Sequence, residues 1–402
     1  QCNWTYPSVY SMFTGRYPST LQIAWFDQRV SGAFPVLPEI LAKKGFKTGI
    51  FSNLKILLNR EGFSSHFQES RHVLLQDNAP KLIKEWLGGA EDSFLLFHTA
   101  EYIHEPYFAD KELVEKFLDD DTRKEADPES KIVQTLTSRN ASGNSIREVM
   151  GAINQRVSKP APADVKYLLS CYDAGIHHVD KIMGEIYDVV KQCGDEYLFI
   201  LAADHGQAFM EHRVMGHGFH LYDELVKVPF ILDFNGKMKG KVDRTTQLMD
   251  LFPTVLDLLG IERDFPIDAR SMLTDVGEEG FAVSEGYPFI TIRDNRHKLI
   301  TTYNKFERYE ETVKCVLDHH VMNSWKRNML ARFLSFFGDK FFDIVNDPLE
   351  KVNVRKSEPE AYKKLRAGLE AMLEKSRKDA LQSKDVGFDA EMRKQLEGLG
   401  YL

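Results

Sequence analysis

The sequence predicts a doubly wound α/β domain, with a mostly parallel sheet and helices on both faces, followed by a smaller α+β subdomain at the carboxyl terminus. Short apolar runs typical of buried strands alternate with amphipathic stretches at helical spacing. These apolar runs end in polar residues, as strands do at the ligand-binding edge of an open α/β sheet. Beyond about residue 262 the segments are predicted to form antiparallel strands. We therefore expect domains over residues 1–261 and 262–402.

The first helix is predicted over residues 7–13. Pro7 and Ser8 suit its first turn, and Gly15 and Pro18 end it. Thr5 precedes this helix, where its hydroxyl is either an N-cap or a nucleophile beside a helix terminus that favours anions. Composition alone favours the N-cap.

The later elements follow from apolar spacing, with glycine and proline at their ends. Helices are predicted near residues 34–44, 81–87, 163–190, 247–259, 361–375 and 391–402. Strands are predicted near residues 46–51, 94–98, 197–203, 228–232, 281–283, 289–293, 297–300 and 341–344. The charged residues 108–165 are predicted to be an insertion with one or two surface helices. It serves either as a lid or specificity loop or as a solvated excursion.

The bulk composition excludes several classes of protein. The apolar fraction of 43% supports a sizeable core, and the net charge of -8 gives no electrostatic footprint for nucleic acid. No apolar run is long enough to span a membrane, so no integral membrane segment is expected. The cysteines are widely spaced and without a CxxC pair, which predicts free buried thiols rather than disulfides or a zinc knuckle. They are Cys2, Cys171, Cys193 and Cys315.

The candidate site begins where the strand near residues 197–203 ends. There the triplet Asp204-His205-Gly206 offers a carboxylate oxygen and an imidazole nitrogen, which are ligands for divalent cations. In the segment Gly216-His217-Gly218, the two glycines let the backbone come close to a ligand. The polar stretches that follow two earlier strands are Ser52-Asn53-Leu54-Lys55 and His104-Glu105-Pro106-Tyr107.

Taken in order, these segments resemble the sulfatase family of the alkaline phosphatase superfamily, and the resemblance covers nearly the whole chain. It rests on the order of five segments rather than on any one of them. They are Thr5-Tyr6-Pro7-Ser8 with Thr14-Gly15-Arg16-Tyr17-Pro18; Asp204-His205-Gly206 with Gly216-His217-Gly218 and Leu221-Tyr222-Asp223-Glu224; residues 250–260; Phe342-Asp343-Ile344 with Asn346-Asp347-Pro348; and Leu399-Gly400-Tyr401-Leu402.

The resemblance implies hydrolysis of a small anionic ester, at sulfur or phosphorus, with one divalent metal ion at the strand ends. The ion is Ca, Mg, Mn or Zn, and the residues leave its identity open. Asp204, His205 and the Thr5 hydroxyl are implied as its ligands. Thr5 is also implied as the nucleophile, which attacks in line and gives a covalent ester that water later cleaves.

The remaining site residues follow from the same resemblance. His104 and His217 are implied to stabilise the non-bridging oxygens of the anion or to protonate the leaving group. Asn53 and Lys55 fall where the family places oxyanion-binding side chains.

Three departures from the family pattern matter. The family's sulfatases carry a cysteine, converted to formylglycine, where this chain has Thr5, and an arginine where it has Val9. A threonine at the nucleophile position resembles that of phosphodiesterases, phosphatases and phosphoethanolamine-type transferases, so phosphorus is favoured over sulfur. The paired acids of the family's first strand do not precede Thr5. Because the chain opens on Gln1 within a motif, we expect it to lack its natural amino terminus, and localisation and oligomeric state are not predicted. Finally, Asn53 replaces a family lysine.

Two alternatives remain at this point. One is transfer of the group to an acceptor other than water, as in phosphoethanolamine-type transferases. The other is a catalytically silent family member that binds an anion or a partner.

Overall fold

The structure is a computed structural model. It describes residues 2–23, 28–30, 32–59, 62–75, 78–89, 92–194, 196–274, 280–286, 289–302, 338–380 and 384–385. The helix predicted over residues 391–402 and the thiol of Cys315 lie outside these residues.

The described elements alternate between helices and strands in the first part of the chain, as predicted. The helices are α1 (Thr5–Thr14), α2 (Pro18–Leu21), α3 (Leu37–Lys43), α4 (Ala79–Leu87), α5 (Lys111–Val114), α6 (Asp120–Glu125), α7 (Lys131–Thr137), α8 (Gly143–Asn154), α9 (Pro162–Cys193), α10 (Asp223–Val226), α11 (Leu251–Leu258) and α12 (Pro359–Asp379). The strands are β1 (Gln28–Arg29), β2 (Lys47–Ser52), β3 (Glu69–His72), β4 (Ser93–His98), β5 (Leu198–Ala202), β6 (Ala208–Phe209), β7 (Met215–Gly216), β8 (Phe230–Phe234), β9 (Ala282–Gly286), β10 (Phe289–Arg293), β11 (His297–Thr302), β12 (Lys340–Asp343) and β13 (Lys384–Asp385).

The central strands β3, β2 and β4 pair in parallel, in that order. Strand β5 pairs with β8 in the antiparallel sense. Parallel neighbours place their carboxyl ends at one edge, so the residues after β2 and β4 come close together. The Asn53 side chain illustrates this, because its Oδ1 accepts a hydrogen bond from the backbone N–H of Ala100 at 2.9 Å.

Strands β2 and β4 lie between two layers of helices, which confirms the predicted architecture. Alternate side chains of a strand point to opposite faces. Ile50 of β2 and Leu96 of β4 pack with α1, α3 and α11 on one face. Phe51 of β2 and Phe97 of β4 pack with α4 and α9 on the other.

Helix α1 begins two residues earlier than the sequence predicts. Thr5 is its first residue and Trp4 its N-cap, so the interpretation of Thr5 as the N-cap is wrong. Pro7 is tolerated because the first-turn N–H groups of a helix have no partner within the helix. Gly15 ends the helix with φ of 66°, in the left-handed region that favours glycine. Every residue of α1 is buried, so the helix is part of the core.

The insertion over residues 108–165 differs from its prediction. It contains four helices, α5 to α8, rather than one or two. Their apolar side chains, such as Val114, Leu136 and Ile153, are buried against α9 and the β6–β7 hairpin. The segment is therefore a packed helical unit, and the interpretation as a solvated excursion is wrong. Its role as a lid or specificity element stays a prediction.

The carboxyl-terminal strands form an antiparallel sheet in the order β12-β11-β10-β9, on which α12 packs. This confirms the predicted small α+β region. Tyr17 and Met249 from the first part of the chain share the hydrophobic cluster of this sheet. The division of the chain at residue 261 therefore stays a prediction.

Two further expectations concern the described residues. None of their helices combines the length and the apolar character needed to cross a bilayer. Cys2, Cys171 and Cys193 are free, as predicted. Burial raises the pKa of the Cys2 thiol to about 12, which leaves it protonated and unreactive at neutral pH.

Candidate active site

The start of helix α1 meets the end of strand β5. The Thr5 Oγ1 atom lies 3.3 Å from His205 Nε2, although the two residues are 200 positions apart. One turn further along α1, the Ser8 hydroxyl donates to the backbone oxygen of Asp204 at 2.7 Å. These two contacts fix the Thr5 hydroxyl beside the acid–imidazole pair of the strand end.

The Asp204 carboxylate has one oxygen without a hydrogen bond. Its Oδ1 accepts from the His205 backbone N–H at 3.0 Å. Its Oδ2 is buried and, within the described part of the chain, makes no hydrogen bond. The imidazole nitrogens nearest to it are Nε2 of His205 at 3.6 Å and Nε2 of His98 at 3.9 Å. A buried carboxylate oxygen in this condition is a ready cation ligand, because a native fold rarely leaves such an atom unsatisfied.

The charge of Asp204 is set by its histidine neighbours. Burial by itself would raise the pKa of the carboxyl, since it disfavours the charged form. His205 and His98 outweigh burial and hold the pKa of Asp204 well below its usual range. Asp204 is therefore a carboxylate at neutral pH.

His205 is held in one tautomer by its own loop. The Gly206 backbone oxygen can only accept, so the 2.8 Å contact from His205 Nδ1 places the ring proton on that nitrogen. Nε2 then carries the lone pair that faces Thr5. Gly206 is required here, because a Cβ at that position would lie 2.1 Å from the Glu224 backbone oxygen.

His217 is oriented in the same way by a glutamine. Its Nδ1 lies 3.0 Å from Gln207 Oε1, and the Gln207 amide nitrogen donates to Glu105 Oε2 at 2.7 Å and to the Tyr107 hydroxyl oxygen. The donation to Glu105 fixes which end of the amide faces His217, so Nδ1 is the donor and Nε2 carries the lone pair. The His217 ring stacks on that of His205, with 4.4 Å between ring centroids.

His104 completes the group of rings. Its Nδ1 donates to the Glu105 backbone oxygen at 2.8 Å, and its ring centroid lies 4.8 Å from that of His217. Ligand atoms of His104, Glu105 and His217 lie within 4.8 Å of one another. The site thus contains three imidazoles, each anchored through Nδ1.

Two titratable groups in this cluster have shifted pKa values. Burial lowers the pKa of His217 well below its usual value, and His205 lowers it further, so the ring is neutral in the ligand-free protein. Burial opposes ionisation of Glu105, but the neighbouring His104 and the hydrogen bond from Gln207 lower the pKa of Glu105 to about 2. Glu105 is therefore a buried anion that balances any proton gained by the neighbouring rings.

The loop that carries His217 is joined to the segment before α1. Gly218 donates its N–H to the Asn3 backbone oxygen at 3.1 Å, and the Asn3 amide donates to the His220 backbone oxygen at 2.8 Å. Gly216 and Gly218 have φ of 87° and 84°, a conformation that other residues rarely adopt. The glycines flanking His217 thus let its loop turn toward Thr5.

The structure separates the predicted site residues into two groups. The first group lies together as a chain of neighbouring side chains and consists of Thr5, Asp204, His205, His217 and His104. The second group is Asn53 and Lys55. The Asn53 Oδ1 atom already accepts a hydrogen bond from the Ala100 backbone N–H, and the Lys55 side chain is half-buried. Oxyanion binding by Asn53 and Lys55 stays a prediction.

Sequence reasoning missed three contributors to the site. Gln207 and Glu105 orient and balance His217, although no role was assigned to either from the sequence. His98 ends strand β4 near Asp204, and its Nδ1 lies 3.3 Å from the Ser52 hydroxyl oxygen. Only their positions in the sequence could have indicated a role in the site, since each residue follows or ends a predicted buried strand.

The donor set fits a divalent cation. It offers the Nε2 lone pair of His205 beside the Thr5 hydroxyl oxygen, and it offers Asp204 Oδ2, which accepts no hydrogen bond from the described residues. Imidazole nitrogen with carboxylate and hydroxyl oxygen is a ligand set that several divalent ions accept.

Comparison with known proteins gives a consistent family. A family model described as Sulfatase matches residues 1–261. A Delta 4,5-hexuronate-2-O-sulfatase of Bacteroides thetaiotaomicron is 25% identical over 241 residues, which are 56% of this chain and 46% of that protein. The chain spans less than half the length of this relative.

Two solved structures share the fold. The phosphonate monoester hydrolase of Agrobacterium radiobacter superposes with a TM-score of 0.63 at 15% identity, over 94% of this chain and 87% of that one. A protein solved with its substrate D-glucosamine-2-N,6-O-disulfate gives a TM-score of 0.61 at 15% identity, over 94% and 89%. At such identities the likeness shows the fold alone, and it confirms the predicted α/β architecture.

Proposed function

The chain belongs to the sulfatase family, and from this premise we propose that it hydrolyses phosphoric or sulfuric esters with Thr5 as nucleophile. The observation that carries the proposal is the position of the Thr5 hydroxyl. It lies at the start of a buried helix, 3.3 Å from the His205 Nε2 atom. It is also beside the buried Asp204 carboxylate, whose Oδ2 accepts no hydrogen bond within the described part of the chain.

Asp204, His205 and the Thr5 hydroxyl would hold one divalent metal ion, with zinc or manganese favoured by the imidazole nitrogen. When bound, the ion supplies Lewis acidity, which lowers the pKa of the hydroxyl and neutralises charge on the reacting group.

The first half of the reaction forms a covalent ester on the protein. Thr5 Oγ1 gives its proton to solvent water and bonds to phosphorus or sulfur while the bond from that atom to the leaving oxygen breaks. The leaving oxygen takes a proton from Nε2 of His217 or of His104, after that ring has taken up a proton from solvent at Nε2. His217 is neutral before an ester arrives, and an anionic ester beside it favours the protonated ring, which Glu105 balances.

The second half releases the acid. Water bonds to phosphorus or sulfur, the bond to Thr5 Oγ1 breaks, and Thr5 regains a proton. Phosphorus is favoured, because a phosphoryl threonine ester is open to attack by water, whereas formylglycine releases sulfate with a second hydroxyl that threonine lacks. The sulfuric ester stays as the second candidate, because the similar Bacteroides protein is a sulfatase by name.

The test uses the full chain with Mn²⁺ or Zn²⁺ and four chromogenic substrates: 4-nitrophenyl phenylphosphonate, bis(4-nitrophenyl) phosphate, 4-nitrophenyl phosphate and 4-nitrophenyl sulfate. We expect turnover of at least one, and a loss of at least about 1000-fold in Thr5→Ala. Thr14→Ala is the matched control, because Thr14 is a buried threonine of the same helix whose hydroxyl donates to the Tyr10 backbone oxygen.

Acid-quenched mass spectrometry adds a second readout. The peptide that contains Thr5 should carry a phosphoryl, phosphonyl or sulfuryl group during turnover. Unchanged ester turnover in Thr5→Ala would show that Thr5 is not the nucleophile and would refute the proposal. Transfer to an added amine or alcohol, in place of water, would favour the transferase alternative, and tight anion binding without turnover would favour the silent one.

A further inference from the structure

Strand β11 of the carboxyl-terminal sheet carries a fully buried lysine. The Lys298 Nζ atom lies 2.6 Å from Asp223 Oδ1 and forms an ion pair of 2.8 Å with Glu350 Oε1. Arg293 of β10 adds a second cation, since its Nη1 lies 3.0 Å from both carboxylate oxygens of Asp223. Burying an ammonium group is costly unless close carboxylates offset the loss of water. These four residues therefore act as one unit, called here the Lys298 cluster.

Asp223 joins the Lys298 cluster to the first part of the chain. It is the first residue of α10, and its backbone N–H donates to Glu350 Oε2 at 2.6 Å. Burial opposes ionisation of the Asp223 carboxyl, but Lys298 and Arg293 hold its pKa below the usual value. Asp223 is therefore a carboxylate at neutral pH, and the cluster holds the start of α10 through both its side chain and its backbone.

Helix α10 in turn contacts the triplet Asp204-His205-Gly206. The Gly206 backbone N–H donates to the Leu225 backbone oxygen at 2.8 Å. The Glu224 backbone oxygen approaches so closely that it leaves no room for a side chain on Gly206. Gly206 also accepts the hydrogen bond from His205 Nδ1 that fixes the tautomer of that ring. The position of α10 therefore sets the position of the backbone to which His205 is anchored.

A second connection between the Lys298 cluster and α10 runs through His212. Its Nδ1 lies 2.6 Å from Glu224 Oε1, and its Nε2 lies 3.3 Å from the Glu350 backbone oxygen. Glu350 thus contacts α10 both at Asp223 and, through the His212 ring, at Glu224. Both ends of the contact between α10 and Gly206 are therefore tied to the carboxyl-terminal sheet.

We propose that Lys298 is a positioning residue for His205. By holding α10, the ammonium group keeps Gly206 where it accepts from His205 Nδ1, so that His205 Nε2 faces the Thr5 hydroxyl. Loss of the ammonium leaves the buried carboxylates of Asp223 and Glu350 to repel each other, which loosens α10. The inference rests on the proposed function, because it names a residue that orients the imidazole beside the proposed nucleophile.

The first test measures amide hydrogen exchange by mass spectrometry in the full metal-free chain. In Lys298→Met, the peptide that contains the Gly206 amide should exchange at least about tenfold faster, because its acceptor on Leu225 moves with α10. Arg366→Met is the matched control, since Arg366 pairs at 3.1 Å with Asp339, a buried carboxylate next to β12. Each variant is measured at the same interval below its own Tm, so that a general loss of stability affects both alike.

The second test follows the tautomer of His205. Long-range ¹H–¹⁵N spectra of metal-free protein with labelled histidine report which ring nitrogen carries the proton. The His205 signals, assigned by their loss in His205→Gln, should show the Nδ1–H form in the unsubstituted chain and in Arg366→Met. Lys298→Met should show a mixture of both tautomers, because the anchoring carbonyl of Gly206 has moved. Asp223→Asn changes the same cluster with little change in volume, and it replaces Lys298→Met in both tests if that variant does not fold.

The outcomes separate the positioning role from the proposed function. Unchanged exchange of the Gly206 peptide, or an unchanged tautomer of His205, would overturn the positioning role. Changes of equal size in Arg366→Met would also overturn it, because they would reflect general stability. If both changes appear in Lys298→Met but the unsubstituted chain hydrolyses no ester, the proposed function fails and the positioning of His205 stands.

Discussion

Two clusters of acids and histidines lie at strand ends in this chain, and they differ in how their carboxylates are used. The Asp204 cluster follows β5. The second cluster lies where β12 ends beside the start of β11, and it consists of His297, Asp343 and Glu358, whose ligand atoms lie within 4.8 Å of one another. From composition alone, both offer carboxylate and imidazole ligands to a metal ion.

The second cluster is already saturated by the protein. Asp343 Oδ2 accepts from Arg296 Nη2 at 2.9 Å and from the Asn346 amide at 2.8 Å, and its Oδ1 accepts from the backbone of Val345 and Asn346. His297 Nε2 lies 2.8 Å from Glu358 Oε2. A guanidinium thus occupies the place that a cation would take.

Among the residues that the structure describes, none donates a hydrogen bond to Asp204 Oδ2, although the atom is buried. The contrast teaches that two clusters with the same ligand types differ in whether their carboxylate oxygens are already hydrogen-bonded. We therefore expect changes in the Asp204 cluster to alter metal binding and rate, and changes in the Asp343 cluster to alter stability. Four experiments test this difference.

The largest effect is expected from metal removal. Treatment with EDTA should lower ester turnover at least about 1000-fold, and Mn²⁺ or Zn²⁺ should restore it better than Ca²⁺, because an imidazole is among the ligands. Turnover assays after dialysis against each ion check this. Full recovery with Ca²⁺ alone would contradict the assignment of His205 as a ligand.

The second-largest effect is expected from Asp204→Asn, which should reduce the affinity for the metal ion at least about 100-fold. The variant should also lose the rise in Tm that a bound metal gives the unsubstituted protein. Thermal unfolding with and without Mn²⁺ measures both. Asp343→Asn is the matched control, and it should keep the metal-dependent rise. If the rise survives in Asp204→Asn and vanishes in Asp343→Asn, the comparison is reversed.

A smaller effect is expected on stability from Asp343→Asn. The change weakens the hydrogen bonds from Arg296 and Asn346, and it should lower Tm by about 3 °C in metal-free protein. Calorimetry compares it with the unsubstituted chain. A Tm equal to that of the unsubstituted chain would show that the saturated cluster contributes no stability.

The smallest effect is expected in the pH dependence of the stability difference between Asp343→Asn and the unsubstituted chain. Burial opposes ionisation of Asp343, but hydrogen bonds from Arg296 and Asn346 lower the pKa of its carboxyl to about 2, from 3.8. A depressed folded-state pKa adds stability above pH 3.8, and that stability is lost as pH falls toward 2. The gap between Asp343→Asn and the unsubstituted chain should therefore narrow over this range in urea titrations. A constant gap would assign the effect to packing instead.

Much of the fold was predictable because its signals are local. Apolar runs ending in polar residues predicted β2, β4 and β5 within a few residues of their bounds. The helices of the insertion were harder to predict, since they are short and their charged faces dominate the composition. Their apolar residues become meaningful only once α9 and the β6–β7 hairpin supply a surface to pack on.

The sequence by itself determined the kinds of residue in the site and their order along the chain, because a strand that ends in Asp204-His205 and the glycines around His217 are local patterns. Only the tertiary structure decided which atoms are available. Gln207 and Glu105 are 102 positions apart, and their contact sets the tautomer of His217. The contact of Asp343 with Arg296 joins residues 47 positions apart. The fold also decides that, within the described ranges, no hydrogen bond reaches Asp204 Oδ2. Availability depends on what surrounds each atom in three dimensions, and sequence spacing does not encode that.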